Sequence, residues 1–508
     1  MATEQLLNDE RTTAQRWRIL GVLCLSVFLV VVDNTIVNVA LPSFARDLHS
    51  SNAGLQWIVD GYSLPFAGLL LVGGGLADRL GRKPVMQFGL VFFIATSVWA
   101  ALATSTGELI AARAAMGVAA AFIFPATLAI LTSVFTDPSE RAKAIGVWGA
   151  TSGASVAFGP IVGGLLLQHF WFGSVFLVNL PIGLVTLVLG YRLLPNSSVP
   201  STRRLDLPGV VISALGLTGL VFSIIEGPTW GWGSVRTIGG IVASCVVLVA
   251  FVLIELRTTA PLLDVRVFRI RRFSAGALSV AVGFFCLFGF IFLITEYFQL
   301  IRGDSSLVAG VHTLPFAVAT AIVTPLGAVL ALKIGARIVV CSGLLLFAAG
   351  LTTMAMTTAT ASYWWTIVSS MVLMAAGLGL VTAPSTEGVM ASLAEDQVGA
   401  GAAVSNTTRE LGGTLGVAVL GSVFASAFAA QAIDALTNAG VNPDKATTAA
   451  DSVASAIALA HRVSPTASHD VTSAFMDALH AACFTAAGVA VVGAVVIFFL
   501  LGQRRTNS

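Results

Sequence analysis

Residues 19–41 read ILGVLCLSVFLVVVDNTIVNVAL, and the one carboxylate inside this apolar run, Asp33, decides how the rest of the chain is read. The run holds 23 residues. At about 1.5 Å of helical rise each, that spans a hydrocarbon core roughly 30 Å thick with some tilt. Counting from Arg18 sets Asp33 about 22 Å into the span, past its middle. An aspartate at a helix centre costs about 2.5–3.5 kcal/mol on translocon scales, so such residues face a bundle interior or a wet cavity. Asp33 is the first candidate functional residue. The alternative is a structural carboxylate permanently paired with an arginine.

Working outward, the chain has 508 residues, 56% of them hydrophobic and 10% charged. Ordinary soluble domains carry about a quarter charged residues, so this is a polytopic membrane protein. A formal net charge of +2 gives no basic field for nucleic acid. The five cysteines, Cys24, Cys245, Cys286, Cys341 and Cys483, lie in apolar runs without a C-x-x-C spacing and read as packing residues. No histidine cluster has metal spacing, so no metal is expected. No Walker A loop is present, which leaves ATP-driven transport and enzymatic use of a nucleotide unsupported.

Apolar runs divide the chain into fourteen expected spans, at 19–41, 54–75, 84–104, 108–132, 144–167, 172–194, 208–226, 237–255, 275–298, 308–331, 337–357, 363–386, 402–428 and 479–502. With the amino terminus inside, 20 of the 27 Lys and Arg fall on inner connections and five on outer ones, with Arg113 and Arg409 within spans. That bias places both termini in the cytoplasm. The one long connection, 429–478, is an outer segment that reads equally as a helical hairpin or as a mobile loop. An internal repeat sets Leu76–Lys83 (LADRLGRK) against Leu330–Arg337 (LALKIGAR), an offset of 254, and Pro125 and Thr127 recur as Pro384 and Thr386. Repeated halves suggest two similar bundles with the site at their interface.

Three charges share roughly one level in the first bundle. Asp60 (in Trp57-Ile58-Val59-Asp60-Gly61-Tyr62) and Arg113 lie about 10 Å from the outer face, and Asp33 about 14 Å from Pro42. Arg113 stays charged and fully compensates one carboxylate only. The other is left to take and release protons, as a coupling site requires, unless both acids share the arginine as a static cluster. The turn Gly74–Lys83 spaces glycines around Asp78, Arg79, Gly81 and Arg82, which suits close helix ends and ionic contacts. In span five, Gly153, Gly159, Pro160, Gly163 and Gly164 suit close helix packing and a bend.

These stretches, with Val32–Pro42, Phe176-Leu177-Val178-Asn179-Leu180-Pro181 and Pro261-Leu262-Leu263-Asp264, resemble the fourteen-span drug:proton antiporter branch of the major facilitator superfamily, most nearly its QacA/EmrB-like multidrug exporters. The resemblance covers essentially the whole chain. It implies an all-α major facilitator fold with two six-helix bundles, 1–195 and 273–508, and two inserted helices within 196–272. It further implies proton-coupled export of small lipophilic or cationic drugs by alternating access, by a monomer in the bacterial cytoplasmic membrane, without a cofactor. Asp33, Asp60 and Glu410 are then the proton-coupling candidates and Arg113 their charge partner. Asn34, Asn38, Trp57, Tyr62 and Asn406 are cavity candidates, Gly74, Asp78, Arg79, Gly81 and Arg82 a conformational latch, and Gly153, Gly159, Pro160, Gly163 and Gly164 the antiporter motif.

Departures from the family pattern bear on substrate choice. Met116 stands where the family commonly has Gln, and span ten, Pro315–Pro325, lacks the acid that QacA-like proteins can carry, which suggests a different and narrower cation preference. Glu410 follows Arg409, so the two also read as a plain ion pair near the inner end. Most of Phe285, Phe288, Phe290, Phe292, Tyr297 and Phe298 in span nine read as lipid-facing, and Glu226, Glu296 and Glu387 as solvated span ends. Rival readings are a dedicated exporter of one metabolite on the same scaffold, a non-transporting membrane scaffold or sensor, and a symporter for uptake.

Overall fold

The structure, a computed structural model, describes residues 2–195, 206–258, 265–392 and 398–501. The expected domain boundary at 195/196 and the stretch 261–264 reach outside the described residues, as do the side chains of Asp78 and Gly153. The described residues form helices only. In chain order these are α1 (Ala2–Asp47), α2 (Asn52–Leu80), α3 (Arg82–Ala101), α4 (Thr106–Val134), α5 (Pro138–His169), α6 (Ser174–Leu177), α7 (Asn179–Leu193), α8 (Leu207–Ile225), α9 (Gly227–Trp230) and α10 (Val235–Arg257). After a 3-10 turn at Val265–Arg269 come α11 (Arg271–Glu296), a π-helical segment (Tyr297–Ile301), α12 (Ser306–His312), α13 (Leu314–Ile334), α14 (Ala336–Met354), a second π segment (Tyr363–Ile367), α15 (Val368–Met390), α16 (Val398–Asn438), α17 (Pro443–Ala450), α18 (Val453–Val463) and α19 (Pro465–Leu500).

Among the described residues, thirteen helical stretches are long and apolar enough to cross a membrane. α2, 29 residues long, occupies the remaining expected span. Two expected spans are broken by proline. Pro181 and Pro315 lack the N–H that continues a helix, so the chain restarts just before each, giving α6/α7 and α12/α13. The first break puts Asn179 at the start of α7.

The repeat is visible in the backbone. Gly81 between α2 and α3 has φ 100°, and Gly335 between α13 and α14 has φ 91°. Only glycine adopts that left-handed conformation without strain, so the same short turn recurs at the same offset. α1, α2, α3, α4, α5 and α7 pack on one another, and α11 packs on α15, α16 and α19, with α14 against α15 and α19. The two sets meet where α2 lies along α16, α5 along α12, and α1 along α11. α8 and α10 pair together, and α8 rests on α2 and α16.

Two expectations change here. Segment 429–478 is ordered helix: α16 and α19 run into it, α17 and α18 fill it, and Asn52 clamps it by donating its backbone N–H to Asp451 O at 2.8 Å. Span nine is an interior helix rather than a lipid-facing one, because α11 is covered by four neighbours. Phe290, Phe292, Tyr297 and Phe298 are buried, and Phe285 and Phe288 half-buried.

Candidate functional site

Asp33 lies on α1 with 0% exposure, and both of its oxygens are served. Arg113 Nη1 donates to Oδ2 at 2.6 Å and Asn179 Nδ2 donates to Oδ1 at 2.7 Å. Asn179 Nδ2 also lies 3.2 Å from Ser97 Oγ, which ties α3, α7 and α1 to one carboxylate. A charge-assisted pair of this kind, fully withdrawn from solvent, holds only because its hydrogen bonds are completed.

Arg113 reaches Asp33 because α4 lies hard against α2. A Cβ on Gly117 would overlap the carbonyl of Tyr62, so only glycine permits this approach. The guanidinium then stacks on Tyr62, with Cζ 4.3 Å from the ring centroid, and donates from Nε to Ile58 O at 3.2 Å. Its Nη2 has no partner. The Tyr62 hydroxyl donates to Val30 O at 3.4 Å, so the ring is locked between α1, α2 and α4.

Asp60 is also 0% exposed, yet among the described residues neither of its oxygens has a hydrogen-bond partner. The single arginine is thus committed to Asp33, and Asp60 is left alone in the interior. Burying a carboxyl in this way costs far more in its charged than in its neutral form.

On the other side of the interface, Glu410 of α16 is 3% exposed. Its Oε1 lies 3.4 Å from Arg409 Nη2, and Oε2 has no partner. Arg409 places its guanidinium carbon 5.9 Å from the Phe124 ring of α4 and 5.4 Å from the Phe284 ring of α11, so it spans both sets of helices. The pair is therefore part of the interface between the two sets of helices.

The antiporter motif has two faces. Gly159 and Gly163 press α5 onto Thr35 and Ile36 of α1, within one turn of Asp33. Pro160 and Gly164 face α12: a Cβ on Gly164 would lie 2.5 Å from Leu307 Cα, and one on Gly310 would overlap Pro160 O. Among the cavity candidates, Asn34 and Asn406 are half-buried, and Asn38 is buried with its Nδ2 turned to its own helix at Asn34 O and Thr35 O. Tyr62 is covered by Arg113, and Trp57 packs on Phe222 of α8 at 5.9 Å, where it serves the seam with the inserted pair. In the latch, Arg82 Nη1 donates to Ala129 O at 2.8 Å, Arg79 is half-buried, and a Cβ on Gly74 would meet Pro125 of α4 at an ordinary 3.6 Å.

Sequence reasoning assigned no role to Asn179, although the Asn-Leu-Pro step was in view. A polar side chain two residues ahead of a helix-restarting proline was the available signal. Glu296, expected to be solvated, is 2% exposed; Glu387 is exposed and Glu226 half-buried as span ends should be.

A family model described as Major Facilitator Superfamily matches residues 23–417. The chain belongs to that superfamily. It is a multi-pass membrane protein of a transporter family. Among its relatives in the Major Facilitator Superfamily, the multidrug efflux pump LfrA of Mycolicibacterium smegmatis is 36% identical over 453 residues, 89% of this chain and 88% of the relative. The tetracenomycin C resistance and export protein of Streptomyces glaucescens is 33% identical over 95% of this chain and 91% of its own. The methyl viologen resistance protein SmvA of Salmonella typhimurium is 32% identical over 97% of this chain and 100% of its own. The fold is similar to that of a bacterial homolog of the human lysosomal transporter Spinster, whose structure is described as inward-facing and unoccupied, with TM-score 0.66, 17% identity, and coverage of 96% of this chain and 97% of that one.

Proposed function

We propose that this chain is a proton-coupled drug antiporter of the fourteen-span branch, exporting small lipophilic, mainly cationic compounds across the bacterial cytoplasmic membrane with both termini inside. The two bundles are 1–195 and 273–508, with 196–272 as the inserted pair. The observation that carries the reading is the unequal service of two equally buried acids: Asp33 is neutralised by Arg113 and Asn179, while both oxygens of Asp60 lack a partner. The relatives' names, multidrug efflux and drug resistance, support the substrate class.

Among the described residues, the hydrogen bonds between the two sets of helices cluster at the end holding Pro42. Gln299 Nε2 donates to Val39 O at 2.9 Å, Asn52 N to Asp451 O at 2.8 Å, and Ser422 Oγ to Gln56 Oε1 at 3.3 Å. By the charge bias that end is the outer one, so this state is closed outward. Asp60 carries its proton here. Loss of that proton to the cytoplasm leaves an uncompensated carboxylate buried on α2. The site then gains net negative charge and takes a cation. Opening outward readmits a proton, which releases the substrate. Proton and substrate thus prefer opposite states, as exchange requires.

The test is discharge of an imposed pH gradient in proteoliposomes by ethidium-like cations and a panel of antibiotics. Discharge is expected with the wild type and not with Asp60→Asn. A wild type that responds to no compound in the panel contradicts the multidrug reading. A response to one compound alone, as the name of the tetracenomycin C exporter suggests for that relative, selects the dedicated-exporter reading. A scaffold or sensor role has no support in these observations.

A further inference from the structure

Glu296 closes α11 at the point where the chain widens into the π segment Tyr297–Ile301. It is 2% exposed, and among the described residues it has no hydrogen bond and no ion pair. Wide helical turns of this kind are frequent at functional sites. One turn further, Gln299 is the hub of the closed end: its Nε2 donates to Val39 O of α1 at 2.9 Å, and its Oε1 accepts from Ser306 Oγ of α12 at 3.0 Å. Ser306 and Leu307 are the residues against which Gly164 of α5 is pressed. Glu296 therefore sits one turn inside the junction that joins α1, α5, α11 and α12.

The other ionisable groups of the surrounding elements are engaged elsewhere or face solvent. Arg302 donates to Ala361 O at 2.8 Å, Asp304 holds His312 at 2.8 Å, and the hydroxyls of Tyr297 and Tyr363 donate to Thr358 O and His312 O. On α1, Asp33 belongs to Arg113, and on α16 Glu410 belongs to Arg409. On α19, His480 Nε2 meets Thr357 O at 2.7 Å, while Asp434 of α16 and Asp477 of α19 are exposed.

We infer that Glu296 is a gating acid: it holds a proton while the Pro42 end is closed and gives it up when that end opens. A buried carboxyl with no partner is tolerated as the neutral acid, and an opened junction supplies the water that its charged form needs. Closure at this end is thereby linked to uptake of a proton from the medium on the same side, and rising pH on that side favours opening. The inference rests on the alternating-access reading above. It does not rest on Asp60 being the coupling acid, because a proton that enters and leaves on one side adds nothing to transport stoichiometry.

The experiment measures opening directly, by spin-label distances between Gln168→Cys and Val311→Cys in lipid nanodiscs, as a function of pH. Asp60→Asn is placed in the background, so that the proposed coupling proton is removed from the titration. The expected result is an open-to-closed ratio that rises with pH, by up to about tenfold per pH unit for one linked proton, a slope lost in Glu296→Gln. Glu296→Asp should keep the slope and move its midpoint, which reports even if the Gln variant does not fold. A slope that survives Glu296→Gln, or one that is abolished instead by His312→Gln, overturns the proposal, as does an Asp variant with an unmoved midpoint. Failure of Asp60 as the coupling acid appears separately, as undiminished pH-gradient discharge in Asp60→Asn alone.

Discussion

Asp33 on α1 and Asp60 on α2 are equally buried, yet their surroundings differ in kind. Asp33 receives two strong hydrogen bonds from side chains on two other helices, and Asp60 receives none. A fully paired buried charge is a fixture, costly to disturb and poorly suited to releasing or binding a proton. An unpaired one is poised, since its charge state decides whether it makes a contact at all. The comparison separates the group that holds the first bundle together from the group that works within it.

The largest effect should come from removing the cation paired with Asp33. Arg113→Ala leaves Asp33 charged and uncompensated, at a cost of about 3–5 kcal/mol. Detergent-solubilised protein should then lose most of its thermal stability, and Asp33→Asn on top of it should recover a large part. Asp60→Asn is expected to leave folding intact and to lower uphill substrate accumulation by a factor on the order of 5–150, the span of ordinary coupling free energies. A stability loss with Asp60→Asn as great as that with Arg113→Ala would erase the contrast. Asn179→Ala removes a hydrogen bond to a buried charge, about 1–3 kcal/mol, and a melting curve of the purified variant reads it.

Two smaller effects sharpen the contrast at the interface. Gly164→Ala pushes a methyl into the Leu307 backbone, so α5 and α12 must separate. An overpacking cost of about 1–3 kcal/mol should favour the state open at that end, seen as faster labelling of a cysteine placed at Val39. Trp57→Phe should change stability and drug range least, by less than about 1.5 kcal/mol, because the ring packs on Phe222 of α8. A large loss of drug range with this variant would return Trp57 to the substrate cavity.

Much of this was legible beforehand, for physical reasons particular to each residue. The runs that form the helices are apolar enough that their burial in lipid dictates helix, whereas the restarts ahead of Pro181 and Pro315 were not expected within spans 172–194 and 308–331. The repeat around Gly81 and Gly335 was readable because a left-handed turn demands glycine. That Asp33, Asp60 and Arg113 share a level followed from rise per residue alone. Which acid the arginine takes did not follow, since that depends on Asn179 and Ser97 arriving from helices far along the chain. Glu296 was misjudged because position near a span end says nothing of the packing around α11 that buries it. Segment 429–478 was undecided because its small residues suit both a packed hairpin and a free loop, and the Asn52–Asp451 clamp is invisible in composition.

The account turns on Asp60 being the acid that exchanges its proton while Asp33 stays bound to Arg113. Proton release on adding a transported cation to the solubilised protein in weak buffer tests this most directly. Release is predicted for the wild type and its loss for Asp60→Asn. Undiminished release from Asp60→Asn, with release abolished in Asp33→Asn, would contradict the account and return the proton to Asp33.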